Sequence, residues 1–197
     1  MEFIKGGVTA AKGFSAGGLH CGIRKNKTKP DLALILSDRE CAAAGVYTRN
    51  LVKGAPITVT QRNIADGRAW AVICNSGIAN TCAPDGLEKA EAMCRVAASA
   101  LGLKPEDIIV ASTGVIGPSL PIEPIANGME ALKASLSGEG SLAAATAIMT
   151  TDTVPKEAAV KFTVGGKTAY MGGISKGSGM IHPNMATMLC FVTTDCA

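Results

Sequence analysis

"GGISKGSGMIHPNMATMLCFVTTD" spans residues 172–195 and leads from a polar loop into a final apolar strand. Before it, "EAAVKFTVGGKTAYMGGI" (157–174) reads as a hairpin turning at Gly165-Gly166, since two adjacent glycines suit the positive φ angles of a tight turn. The stretch then passes through the polar loop "KGSG" and the His182-Pro183 pair. It resumes as the apolar run "MLCFVTT" (188–194), a final strand. A strand so close to the last residue, with no capping segment after it, leads one to expect that the fold continues elsewhere.

Working outward, "DLALILS" (31–37), "GVYT" (45–48), "PITVT" (56–60), "WAVICNSG" (70–77) and "EDIIVASTG" (106–114) are short, apolar and bounded by turn residues, as strands are. "LEKAEAMCRVAASALG" (87–102) has the helical period: Leu87, Ala90, Cys94, Ala97 and Leu101 share one face, and Gly102 ends it. Further helices are expected over 124–136, behind Pro118 and Pro121, and over 142–149. Strands and helices mix without strict alternation, which predicts a layered α/β fold of the α+β type rather than a doubly wound parallel sheet.

The 197 residues are 47% hydrophobic and 18% charged, enough for a buried core, and only 4% aromatic. That core must be built from Ala, Val, Ile, Leu and Met. The net charge of +3 is scattered, with no basic run, so nucleic acid is not an expected partner. Seven Cys, an odd number without a CxxC pair, favour reduced thiols over a disulfide scaffold. With two His, a zinc site is not expected. No run reaches the ~20 apolar residues that span a bilayer, and "MEFIKGGVTAAKGF" lacks a signal-peptide core. A soluble, cytoplasmic protein is expected.

Several segments could carry chemistry. Thr187 follows the small Ala186. A threonine there is ordinarily a β-former. As a nucleophile it needs a base, and its own α-amine would serve once the preceding peptide bond is cut. That amine's unperturbed pKa of ~7.7–8.0 suits it to take a proton near neutrality. "ASTGVIG" (111–117) turns at Thr113-Gly114, where a hydroxyl and a backbone N–H could hold charge developing on an acyl oxygen; an ordinary strand-to-helix connection is the alternative. "SKGSG" (175–179) fails the phosphate-loop pattern, leaving a flexible loop that presents Lys176 to an anion. "TTDT" (150–153) could bind a ligand or cap a turn, and "CNSGIANTCAPDG" (74–86) could line a site or only shape turns.

Taken together, "GFSAGGLHCGIRK" (13–25), "DLALILSD" (31–38), "AAGVYTRNLVKGAP" (43–56), "NSGIAN" (75–80), "ASTGVIG", "TTDT" and the stretch 172–195 closely resemble the ornithine acetyltransferases. These are also called bifunctional glutamate N-acetyltransferases of arginine biosynthesis. The resemblance covers almost the whole chain and departs from the family at Ile78 and across 82–85.

It implies a four-layer αββα sandwich with mixed sheets, of the self-processing, N-terminal-nucleophile type. The precursor would cut itself between Ala186 and Thr187, making residues 1–186 the α-chain region and 187–197 the first strand of the β chain. Thr187 would then carry acetyl from N-acetylornithine to glutamate. Thr113 and Gly114 match the oxyanion hole, and Thr150, Lys176 and Thr187 match substrate-contacting positions. No metal or cofactor is implied; some members also accept acetyl-CoA. The partners implied are the two substrates and the β chain, in an α2β2 heterotetramer. The family's polypeptide is about twice this long, so a partial or uncut product is expected here. A self-processing aminopeptidase or amidase, or a non-catalytic ligand-binding domain, remain the alternatives.

Overall fold

The computed structural model describes residues 1–179 and 188–196. Two four-stranded sheets pack together. One runs β2 (Phe14–Leu19), β3 (Leu32–Ala42), β4 (Arg68–Ile78), β5 (Ile108–Val115). Its strands are antiparallel except for the parallel β4–β5 pair. The other runs β1 (Glu2–Ile4), β6 (Lys156–Val164), β7 (Lys167–Lys176), β8 (Leu189–Thr194), antiparallel throughout.

Strand alternation sorts the apolar residues into two cores. Leu32 and Leu34 of β3, Ala71 and Ile73 of β4, and Ile108 and Val110 of β5 face three helices. These are α1 (Ala55–Asn63), α2 (Gly86–Leu101) and α3 (Glu123–Ala134). Ala33, Ile35, Cys74 and Ala111 face the other way, toward Ile174 and Phe191 of the second sheet. There α4 (Ser141–Ala147) contributes Ala144, Ala145 and Ala147. The order is therefore helices, sheet, sheet. Among the described residues no helix covers the outer face of β6–β8, where Val192 is 60% exposed. The α+β expectation holds, with one mixed and one antiparallel sheet.

The hairpin turns at Gly165 and Gly166, both at positive φ as its reading required. In α2, Gly102 closes the helix in the left-handed region, but Leu87 is exposed and Met93 takes a place on the buried face. Two strand readings need correction, and the strands β1 and β2 were not anticipated. "PITVT" is the body of α1, although its β-branched residues favour a strand. Pro56 sits in the first turn, where its missing N–H costs nothing. The helix is held by a tertiary need: β5 is an edge strand, and Thr60 satisfies it. The Val110 N–H donates to Thr60 Oγ1 (3.0 Å), and that hydroxyl donates to the Val110 carbonyl (2.7 Å). Asn63 Nδ2 donates to the Ile108 carbonyl at 2.9 Å. A sheet edge covered in this way is shielded from pairing with another chain.

"GVYT" is irregular, because Ala42 is already opposite Arg68, where β4 begins, and the Ala43 N–H bond to the Gly67 carbonyl (2.7 Å) is the last before it. Conversely, β2 carries no strand signal in its Gly17-Gly18 pair. A Cβ on Gly18 would lie 2.3 Å from the Ala143 carbonyl oxygen, so a glycine is what lets α4 lie on the strand.

Thr60→Val should leave both buried groups of Val110 without a partner. Such orphaning costs about 1–3 kcal/mol per site. Urea unfolding should give a lower midpoint at an unchanged slope; an unchanged midpoint would show that the edge is satisfied otherwise.

Candidate active site

The parallel pair β4–β5 ends in a tight notch. Ser76 is opposite Thr113, and Gly77 opposite Gly114. Gly114 has φ +131°, and a Cβ there would lie 2.3 Å from the Gly77 carbonyl carbon. Both the dihedral and the space demand glycine. The turn thus presents backbone beside the half-buried Thr113.

Two links join this notch to the end of α4 and the residues just after it. The buried Ser76 hydroxyl donates to the Ala147 carbonyl at 2.5 Å. Arg24 lies against Gly77, where a Cβ would meet its Cγ at 2.9 Å, and its guanidinium donates to the Met149 carbonyl. Asp31 organises the Arg24 loop. Wholly buried, its carboxylate accepts from the backbone N–H groups of Cys21 (2.7 Å) and Arg24 (2.8 Å) and lies 3.1 Å from His20 Nδ1. Its own carbonyl accepts the Ser76 N–H at 2.8 Å.

Thr150 follows directly on Met149, and its N–H donates to Asp152 Oδ2 at 3.2 Å. The other oxygen of Asp152 accepts the Gly177 N–H at 2.7 Å and Lys156 Nζ at 2.5 Å. Burial works against the charged form of this carboxylate. The hydrogen bonds from Lys156, Gly177 and Thr150 outweigh it and bring the pKa down to about 2.

Lys176 is not on a flexible loop, as the sequence led one to expect. It is the last residue of β7, opposite Leu189, and only 4% exposed. Its inward direction follows from strand alternation, since Ile174, two residues earlier, faces the core between the sheets. Lys176 Nζ donates to the Gly177 carbonyl at 2.7 Å. Burial lowers its pKa, and the charge of Asp152 works in the opposite direction. Nearby Cys74 is pushed up to about 12, chiefly by burial, so it stays a thiol.

Four sequence-predicted residues therefore come together at one end of the fold: Thr113 and Gly114 from β5, Thr150 from the loop after α4, and Lys176 from β7. Ala186 and Thr187 lie outside the described residues. Met188 is the first described residue after them, leading into β8. Sequence reasoning missed Arg24, Asp31 and Asp152, whose partners are mostly distant in the chain, whereas Ser76 lay in the loop 74–86 that could line a site. The one available signal was an Asp flanked by hydroxyls or opening an apolar run, in "TTDT" and "DLALILS".

Chemically, a backbone N–H and a hydroxyl at such a turn are groups that can hold charge developing on an acyl oxygen, and a lysine at a strand end is one that can meet a carboxylate. Among the described residues no three His, Cys, Asp or Glu side chains gather as a metal site. All seven Cys are free, and among the described residues no helix is long and apolar enough to cross a membrane.

The ArgJ family model matches residues 15–197. The arginine biosynthesis bifunctional protein ArgJ of Symbiobacterium thermophilum is 54% identical over 199 aligned positions, which take in 100% of this chain and 50% of that protein. Its counterpart in Bacillus subtilis is 49% identical, over 98% of this chain and 47% of that one. The chain thus spans about half the length of the curated relatives it matches. The crystal structure of the bifunctional protein from Bacillus halodurans superposes with a TM-score of 0.86 at 46% identity, covering 92% of this chain and 95% of that chain. The ornithine acetyltransferase of Mycobacterium tuberculosis, solved with ornithine, gives 0.82 at 39% identity, covering 91% and 96%.

Proposed function

The chain belongs to the ArgJ family, and from that premise we propose that it is the Thr113-to-Lys176 side of a self-processing acetyltransferase of arginine biosynthesis. Residues 1–186 form its α-chain region, and 187–197 begin its β chain. The observation that carries this reading is the convergence of Thr113-Gly114, Thr150 and Lys176 on one end of the β4–β5 pair. Chain lengths add support. Solved relatives are matched over 95–96% of their chains, whereas curated relatives are matched over half or less of theirs.

In processing, Thr187 Oγ attacks the Ala186 carbonyl carbon and the acyl group passes from nitrogen to oxygen. Water opens the resulting ester, leaving a carboxylate on Ala186 and a free α-amine on Thr187. That amine then takes the Oγ proton as the oxygen attacks the acetyl carbonyl of N-acetylornithine. The Gly114 N–H and the Thr113 hydroxyl receive the charge on the acetyl oxygen. The C–N bond breaks, ornithine leaves with the proton, and acetyl stays as an ester on Thr187. The amine of glutamate attacks that ester, giving N-acetylglutamate and restoring the hydroxyl. Lys176 and Thr150 hold the amino-acid portion of the substrate.

The relatives named as bifunctional favour a second activity, in which acetyl-CoA loads the same threonine. No cofactor enters either cycle. The enzyme works in the cytoplasm as an α2β2 heterotetramer.

The test uses the protein from its complete coding sequence, incubated with N-acetylornithine. Ornithine release should require glutamate and yield N-acetylglutamate in equal amount. Release at the same rate without glutamate would make the enzyme a hydrolase, as the aminopeptidase or amidase reading holds. N-acetylglutamate formed from acetyl-CoA and glutamate alone would establish the second activity.

A further inference from the structure

The loop carrying Thr150 and the strand end carrying Lys176 lie 26 residues apart in sequence, and neither is held by the notch alone. One carboxylate ties them together. We propose that Asp152 is a positioning residue for acetyl transfer, a buried clamp that sets Thr150 and the Lys176–Gly177 peptide relative to one another and to the charge of Lys176. Its side chain is 2% exposed. One oxygen accepts the Thr150 N–H (3.2 Å) and the other the Gly177 N–H (2.7 Å), so both segments are gripped by backbone, whatever their side chains do. Hydrogen bonds to an ionised acceptor are among the stronger ones a protein makes.

Lys156 completes the group. At the start of β6 and 44% exposed, it closes on Asp152 from the solvent side at 2.5 Å. The charged or titratable groups acting on Lys176 come from three places: Asp152 after α4, Lys156 on β6 and Cys74 on β4. Burial favours the neutral amine of Lys176. Asp152 favours the ammonium, and Lys156 opposes it. An ammonium is the form that attracts a substrate carboxylate, so Asp152 supports the site in two ways, by geometry and by charge.

Because this role presupposes the acetyl transfer proposed above, the wild-type protein is assayed first for glutamate-dependent ornithine release. Failure there counts against the transfer itself. With transfer established, kcat/KM for N-acetylornithine is followed against pH in two variants of the complete protein. Asp152→Asn should lower kcat/KM by about 10²-fold through lost alignment. Its alkaline limb should move to lower pH, because Lys176 loses the neighbouring negative charge and deprotonates sooner. Lys156→Gln alters an exposed side chain and keeps both backbone bonds to Asp152. Its alkaline limb should move the other way, to higher pH. A merely structural role predicts no such opposed shifts. Alkaline limbs that stay in place in both variants, or in Lys156→Gln alone should the first variant not fold, overturn the proposal.

Discussion

Thr187→Ala should yield one uncut chain with no acetyl transfer. In the proposed mechanism the two losses share a cause, since the same hydroxyl would begin the self-cleavage and later carry acetyl. Alanine retains the β-carbon and removes the hydroxyl together with the γ-methyl, so circular dichroism on the variant should accompany the assay. Removal of a covalent nucleophile from an acyl-transfer site lowers kcat by as much as ~10⁶. Thr187→Ser keeps a hydroxyl and should still process and transfer, more slowly. Gel electrophoresis and an ornithine-release assay read the two losses. A Thr187→Ala protein that still turns over N-acetylornithine would remove Thr187 from the mechanism.

The next largest effect is expected at Gly114. With φ at +131° and the Gly77 carbonyl carbon 2.3 Å from the position of a Cβ, Gly114→Ala cannot be accommodated without displacing backbone. The clash is with the Gly77 carbonyl and the Ile78 nitrogen, so the two strand ends must part and the Gly114 N–H moves with them. Loss of one oxyanion donor costs about 10²–10³ in kcat. In the proposed mechanism the same donor would serve the tetrahedral intermediate of self-cleavage, so processing should slow along with transfer. Circular dichroism on the variant distinguishes this from unfolding. A folded Gly114→Ala protein with near-normal kcat would show that the oxyanion is held elsewhere.

The parts of the fold that are local were legible in the residues. Gly165-Gly166 marks its hairpin, and Gly102 marks the end of α2. Apolar runs mark β3, β4 and β5. What depends on distant partners was not. The β-branched "PITVT" is a helix because Thr60 and Asn63 serve the edge of β5, some 45–50 residues on. The strand β2 hides behind its Gly17-Gly18 pair, of which Gly18 is what α4 requires.

The site divides along the same line. Thr113, Gly114, Thr150 and Lys176 were marked by motif resemblance, while the carboxylates that assemble the site were not. Asp31 looks like a turn residue before a strand, and Asp152 like one hydroxyl-rich turn among several. Each acquires its role only when backbone from elsewhere in the chain arrives to be bound. The burial of Lys176 escaped notice for a related reason. The glycines after it read as a loop, yet pairing with Leu189 carries the strand through Lys176 itself.

The most direct measurement is intact-mass spectrometry of the protein from its complete coding sequence, before and after exposure to N-acetylornithine without glutamate. Two chains are expected, the second beginning at Thr187. That second chain should gain the mass of one acetyl group, on its first residue, and lose it when glutamate is added. A single uncut chain that transfers acetyl, or an acetyl group carried on any other residue, would contradict the assignment of Thr187 as the nucleophile.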